Sequence, residues 1–138
     1  MLRKDFQDLA DERIQDAEAL LAAGRFSAAR YFAGLAVECA IKAKIASQTQ
    51  EHEFPDKEWA AKVFTHNLES LMKFAGLESA LESQMGVTAV FQENWNRIKE
   101  WKVEWRYELP VGHAEAATFV QSVADATDGM LPWLRAHW

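Results

Sequence analysis

The chain has 138 residues, of which 49% are hydrophobic and 26% charged, the composition of an ordinary globular domain. A chain of this length buries a core without disulfides or metals, so we expect one domain over residues 1–138. The net charge of −6 argues against binding along an extended stretch of DNA, because proteins with that function present a basic surface to the phosphates. A pocket for one nucleotide, or a local RNA site at a dimer interface, is compatible with this charge.

The first residues carry charges where a secretory leader needs an apolar segment, and no apolar run is long enough to span a bilayer. The most apolar stretch, Tyr31 to Ile45, is interrupted by three charged residues and predicts a buried core helix. The single cysteine, Cys39, lies in that stretch, where we expect it to act as a small buried hydrophobe. These features predict a cytoplasmic protein that does not span a membrane.

Two long helices are predicted at the start of the chain. Apolar residues at helical spacing indicate a first helix from Lys4 to Ala22, and Gly24 is expected to end it. Ser27 is a favourable N-cap, so the second helix is predicted from Ser27 to Ser47. Its many alanines let neighbouring helices approach closely.

Shorter elements follow. Residues 48–58 are polar, contain a proline and indicate a surface loop, after which a short helical turn is expected. Thr65 can cap a third helix over residues 66–75. A brief helix over residues 77–84 is expected to be broken at Gly86.

The last part of the chain again predicts long helices. Tryptophans and other apolar residues indicate a fourth long helix over residues 88–105, and residues 107–112 predict a loop. The last helix is expected from Ala114, and a glycine and a proline should bend or end it near Met130. No segment alternates like a strand. The predicted fold class is therefore all-α, an antiparallel helical bundle of four to five helices.

Three segments carry a family resemblance. Residues 20–43 join a glycine–aromatic junction to an alanine-rich helix with Glu38 and Lys42 four positions apart. Residues 65–71, Thr-His-Asn-Leu-Glu-Ser-Leu, form the second segment, at the place of a short third helix. Residues 105–108, Trp-Arg-Tyr-Glu, precede a loop and a long last helix. In this order the segments resemble the HEPN family (higher eukaryotes and prokaryotes nucleotide-binding) over nearly the whole chain.

The resemblance implies a helical bundle that forms a homodimer and associates with nucleotides or RNA. Some HEPN members are metal-independent RNases, including toxins of toxin–antitoxin pairs. Others bind nucleotides without catalysis or accompany a small nucleotidyltransferase. Catalytic members carry an arginine, a short spacer and a histidine at the start of the final helical region. Arg106 and His113, with six residues between them, are similar to that pattern.

In a catalytic member of this kind, His113 would exchange a proton with the RNA 2′-hydroxyl. Arg106 would hold phosphate oxygens with its forked guanidinium. The candidate ligand contacts are Glu38, Arg106 and Tyr107, whose ring could stack on a base. Two simpler alternatives stay open: Arg106 pairs with Glu38 or another carboxylate at the core edge, and His113 only begins the last helix. Glu38 and Lys42 are also spaced for an ion pair within their helix.

Three functions therefore remain. The preferred one is a HEPN-like binding or accessory module for nucleotide or RNA. The second is a metal-independent endoribonuclease, and the third is a purely structural interaction protein. No cofactor or metal is expected, since the four histidines lack ligand spacing and one cysteine cannot complete a zinc set. His66, beside the expected cap, is predicted to lie at the surface or to support that cap.

Overall fold

The computed structural model describes residues 2–48 and 57–138, and in these ranges the chain is all-α, as predicted. The helices are α1 Arg3–Ala22, α2 Phe26–Ser47, α3 Lys57–Val63, α4 Leu68–Phe74, α5 Glu78–Val87, α6 Ala89–Ile98, a 3-10 helix Val103–Tyr107, α7 His113–Ala124 and α8 Met130–Arg135. They are shorter and more numerous than predicted, because two of the expected long helices are each interrupted. The predicted loop over residues 48–58 falls mostly outside the described residues, and its last two residues begin α3.

Helices α1 and α2 form a hairpin that is joined by a glycine turn. Gly24 has a φ of 79°, a left-handed conformation that glycine adopts without strain. Its N–H donates to the carbonyl of Leu21 at 3.1 Å, and the N–H of Arg25 donates to that of Leu20 at 2.8 Å. This pair of bonds is a Schellman motif. The prediction that Gly24 ends the first helix is confirmed.

Helix α2 lies at the centre of the bundle and packs against α1, α4, α7, α8 and the 3-10 helix. More than half of its residues are buried, so its sequence shows apolar residues on most of its circumference. Fully buried alanines along the helix allow its neighbours to approach closely. Gly34 is the extreme case, because the indole of Trp101 occupies the space where a Cβ would lie.

The α4 cap is Asn67 and not the predicted Thr65. Asn67 Oδ1 accepts the N–H of Ser70 at 2.9 Å, whereas Thr65 Oγ1 accepts the N–H of Asn67 at 3.2 Å. Helix α4 ends at a second left-handed glycine, Gly76, with a φ of 73°. The predicted break at Gly86 is wrong, since this residue lies inside α5.

The helix predicted over residues 88–105 is wrong beyond Ile98, where α6 ends. After a short turn, the indole of Trp101 packs into the core and its Nε1–H donates to the carbonyl of Tyr31 at 3.1 Å. The chain then continues as the 3-10 helix. This long-range contact overrides the helical spacing of the aromatic residues, which alone favoured one continuous helix.

The last predicted helix is two helices. Helix α7 begins at His113, ends at Ala124, and is followed by a turn that leads into α8. In this turn Asp125 Oδ2 accepts the N–H of Asp128 at 2.8 Å. A Cβ on Gly129 would overlap the backbone of Asp125, so the tight turn requires a glycine. The interruption therefore lies before the predicted position near Met130.

The buried apolar side chains form one cluster that extends from α1 to α8. Its large members include one from each of α2, α4, α6, α7 and α8: Ile41, Leu71, Phe91, Phe119 and Leu134. Within the two described ranges, no helix combines the length and apolarity needed to cross a membrane.

Candidate functional site

A cleft of about 570 Å³ opens beside the α1–α2 turn. The first wall consists of residues 24–28 with Tyr31 and Phe32, and the second of Trp105, Arg106, Glu108, Pro110 and Val111. One hydrogen bond ties the walls together, in which Ser27 Oγ accepts the N–H of Val111 at 2.9 Å. These two residues are 84 positions apart in the sequence. Arg106, the centre of the predicted site, therefore belongs to a cavity that only the folded chain creates.

The first turn of α2 forms part of the first wall. The predicted cap Ser27 is wrong, because the N-cap position is Arg25, whose side chain makes no capping bond. The first N–H groups of an α-helix have no acceptor within the helix, and they carry the positive end of its dipole. In α2 these groups belong to residues that line the cleft.

Arg106 is exposed, and no described residue forms an ion pair with it. Its Cζ lies 4.9 Å from the ring centroid of Tyr107, so the guanidinium lies over the neighbouring ring. Tyr107 is 78% exposed and is not part of the cleft wall. The alternative in which Arg106 pairs with a carboxylate at the core edge is wrong for the described residues.

His113 is the first residue of α7 and is exposed. Its ring packs edge-on against Phe26, with 5.3 Å between the ring centroids. Phe26 is part of the first wall, so His113 lies at the border of the cleft and Arg106 within it. No hydrogen bond joins Arg106 to His113 in the part of the chain that the structure describes.

A buried arginine that the sequence analysis missed supports the second wall. Arg30 on α2 is 5% exposed, and its Cζ lies 3.9 Å from the centroid of the Trp105 ring. Its Nη1 lies 2.8 Å from Glu115 Oε1, and its Nη2 lies 3.7 Å from Glu108 Oε2. The sequence does contain a signal for this burial, because Arg30 lies on the apolar face of α2, in helical phase with the buried Ala33.

Glu38 lies two turns further along α2 and is not part of this cleft. It is 4% exposed, and its two oxygens have different partners. Oε2 lies 3.5 Å from Lys42 Nζ, which confirms the predicted ion pair within the helix. Oε1 lies 2.6 Å from His66 Nδ1. Sequence spacing could not reveal this second contact, because His66 follows Glu38 by 28 positions and reaches it only through the packing of α2 against the α3–α4 connection.

Among the described residues, the Cys39 thiol is a further ionisable group in the core. Burial, and then the negative charge of Glu38, raise the pKa of Cys39 to about 11. The thiol therefore stays protonated near neutral pH and is a poor nucleophile. Among the described residues, no three His, Cys, Asp or Glu side chains are grouped so that they could hold a metal ion.

We also compared the chain with family models, curated proteins and solved structures. No family model, curated protein or solved structure matches it.

Proposed function

We propose that the cleft binds a nucleotide, either free or as one unit of RNA, and that the protein is a HEPN-like binding or accessory module. The observation that carries this proposal is the combination, in one cleft, of two arginines, several aromatic rings and an uncapped helix N-terminus. A volume of about 570 Å³ is in the usual range for small-molecule sites.

The phosphate would bind at the start of α2. Free backbone N–H groups and the helix dipole favour an anion at this position. Arg25 and Arg106 lie in opposite walls of the cleft, and neither forms an ion pair with a described residue. Both guanidiniums are therefore available for charge-assisted hydrogen bonds to phosphate oxygens. This local concentration of positive charge explains how a protein with a net charge of −6 would hold a phosphate.

The base would bind against the aromatic side chains of the walls. Tyr31 and Phe32 lie on one side of the cleft and Trp105 on the other. Stacking on aromatic rings contributes about 1–3 kcal/mol for each base and is tolerant of base identity. We therefore expect nucleotide binding with weak base preference.

The test is calorimetric titration of the purified protein with AMP and with a short single-stranded RNA. We expect Arg25→Gln and Arg106→Gln each to weaken binding about tenfold, since a hydrogen bond to a charged group contributes about 1.5–3 kcal/mol. Arg3→Gln is the matched control, because it removes the same charge at the other end of α1, roughly 30 Å away. Equal affinity in all four proteins, or no binding by any of them, would refute the proposal.

A metal-independent endoribonuclease is the second candidate, and the position of His113 against Phe26 at the cleft border favours it. RNA held by Arg106 would then lie close to an imidazole that can exchange protons. The test is cleavage of mixed-sequence RNA in chelator by the unaltered protein, His113→Ala and Arg106→Ala. Cleavage that both substitutions abolish, with helicity retained by circular dichroism, supports the nuclease. If the RNA stays intact with all three proteins, the nuclease candidate is refuted and the binding module remains.

The resemblance also motivates a homodimer and a nucleotidyltransferase partner. Tyr107 and Leu109 are 78% and 87% exposed beside the cleft, and we propose that a second copy of the chain covers them. Light scattering should give a dimer mass for the unaltered protein and a monomer mass for Leu109→Glu. Co-expression with a small nucleotidyltransferase, followed by affinity purification, tests the partner. A monomer at all concentrations contradicts the dimer.

A further inference from the structure

The cleft beside the α1–α2 turn has one acidic side chain among its described lining residues, Glu108. The other polar side chains of the lining belong to two arginines, a tryptophan, a tyrosine and a serine. Arginine and tryptophan only donate hydrogen bonds, and the tyrosine and serine hydroxyls donate as well as accept. An ionised carboxylate only accepts. Among these side chains Glu108 is therefore the only one that must find a hydrogen-bond donor on a ligand.

A buried cation outside the cleft lining positions the Glu108 carboxylate. Arg30 is 5% exposed, and its Nη2 lies 3.7 Å from Glu108 Oε2, while its Nη1 bonds to Glu115. The Nε of Arg30 has no hydrogen-bond partner, so within the described ranges these two carboxylates compensate the buried charge. The same guanidinium stacks on the Trp105 ring. It therefore keeps the carboxylate and this ring close together in the second wall of the cleft.

The hydrogen-bonding capacity of this carboxylate is unused. Oε2 lies 3.7 Å from Arg30 Nη2, and Oε1 lies 3.8 Å from Lys102 Nζ. Both distances are longer than a hydrogen bond, which joins N and O at about 2.7–3.2 Å. In the part of the chain that the structure describes, no hydrogen bond reaches the Glu108 side chain, which is 45% exposed. Its oxygens can therefore accept hydrogen bonds from a molecule in the cleft.

The next step rests on the proposed nucleotide cleft. Phosphate oxygens accept hydrogen bonds, whereas ribose hydroxyls can donate them. The negative charge of Glu108 repels a phosphate, which leaves the phosphate to Arg25, Arg106 and the start of α2. We propose that Glu108 accepts a hydrogen bond from the ribose 2′-hydroxyl, so that the cleft selects ribonucleotides over deoxyribonucleotides. The Trp105 ring beside Glu108 is then within reach of the base on the same sugar.

The experiment is calorimetric titration of the full chain with AMP and with dAMP, which differ only in the 2′-hydroxyl. The unaltered protein should bind AMP about tenfold more tightly than dAMP, the ordinary effect of one hydrogen bond to a charged group. In Glu108→Ala the two affinities should become equal. The ratio of affinities is the readout, because removal of a negative charge changes the attraction for the phosphate of both ligands alike.

Glu104→Ala is the matched control. It removes an exposed carboxylate from the same 3-10 helix region, outside the cleft lining, and should keep the preference for AMP. Glu108→Gln retains the shape of the side chain and tests the contact even if Glu108→Ala does not fold. Its amide oxygen accepts a weaker, uncharged hydrogen bond, so the preference should decrease without disappearing. Arg106→Gln should weaken binding of both nucleotides and leave the preference unchanged.

The outcomes separate this contact from the cleft itself. Equal binding of AMP and dAMP by the unaltered protein would overturn the ribose contact and leave the nucleotide cleft standing. A preference that persists in Glu108→Ala would also overturn it, because another group would then contact the 2′-hydroxyl. Binding of neither nucleotide would refute the nucleotide cleft and this inference with it.

Discussion

Position 34 cannot accommodate a side chain, because the Trp101 indole lies in the space that a Cβ on Gly34 would occupy. We expect Gly34→Ala to lower the free energy of unfolding by about 3 kcal/mol, the upper part of the range for overpacked cores. The cause is displacement of the indole and loss of its bond to the Tyr31 carbonyl. Urea unfolding followed by far-UV circular dichroism measures the change.

The matched control is Gly86→Ala. A Cβ at this helical position meets no atom within 4 Å, so the substitution should raise stability by roughly 0.5–1 kcal/mol through the helix preference of alanine. Equal effects of the two substitutions would show that the Trp101 contact is not the cause.

Cys39 should make stability depend on pH in the alkaline range. Its pKa rises from 9.0 in the ordinary environment to about 11 in the fold, because burial and Glu38 disfavour the thiolate. Below pH 9 the thiol is protonated in both states. Between pH 9 and 11 the unfolded chain loses this proton first, so the fold loses stability on the order of 2–3 kcal/mol. As the pH rises from 8 to 11, the free energy of unfolding of the unaltered protein should therefore fall relative to that of Cys39→Ala by this amount. A constant difference would contradict the burial of this thiol.

At the residue scale, the sequence predicted some of the candidate site. Arg106 was named because of the resemblance, and it lies in the wall of the cleft beside the α1–α2 turn. Cys39 was predicted to be a buried hydrophobe and is one, but it lies outside the cleft. Arg25 was not named, because its place in the cleft wall depends on where α2 begins, and Ser27 was the better cap by chemistry alone. His66 was predicted at the surface, and its bond to Glu38 depends on packing that no local pattern encodes.

At the level of elements, one buried cation joins three parts of the chain. Arg30 of α2 stacks on Trp105 of the 3-10 helix and pairs with Glu108 in the loop and Glu115 in α7. Removing both carboxylates leaves a buried unpaired charge, whereas removing the arginine leaves carboxylates that are 45% and 61% exposed and can hydrate. We therefore expect the Glu108→Gln, Glu115→Gln double variant to be less stable than Arg30→Met, by about 1–2 kcal/mol. Thermal denaturation at neutral pH compares the two. The opposite order would show that stacking on Trp105 outweighs the charge pairing.

The helices themselves were predicted unevenly. The boundaries of α1 and α2 were close to the prediction. The turn between them was predictable because Gly24 ends the first helix by its own conformation and needs no distant partner. The helix over residues 88–105 was predicted too long, since Trp101 leaves the helix for a contact with α2. Local chemistry therefore predicts the hairpin, and tertiary packing determines where α6 ends.

For the whole molecule, the central position of α2 sets the order of stability. Its residues between Ala33 and Ala43 are nearly all buried and are packed by five other elements. We expect their amide protons to exchange only when the whole chain unfolds, whereas α3, which contacts few elements, should exchange earlier. Native-state hydrogen exchange resolved by NMR measures both. Equal protection in α2 and α3 would contradict this order.

The bond between Ser27 and Val111 also has a consequence for synthesis on the ribosome. The α1–α2 hairpin joins neighbouring segments, so it can form while the rest of the chain is still being translated. The cleft beside the α1–α2 turn cannot form at this stage, because Val111 in the second wall of the cleft follows Ser27 by 84 positions. A nascent chain that stalls after α2 but before the 3-10 helix has the first turn of α2 without the wall that contains Arg106. Any affinity of this cleft for a ligand is thus restricted to chains whose translation has passed the 3-10 helix.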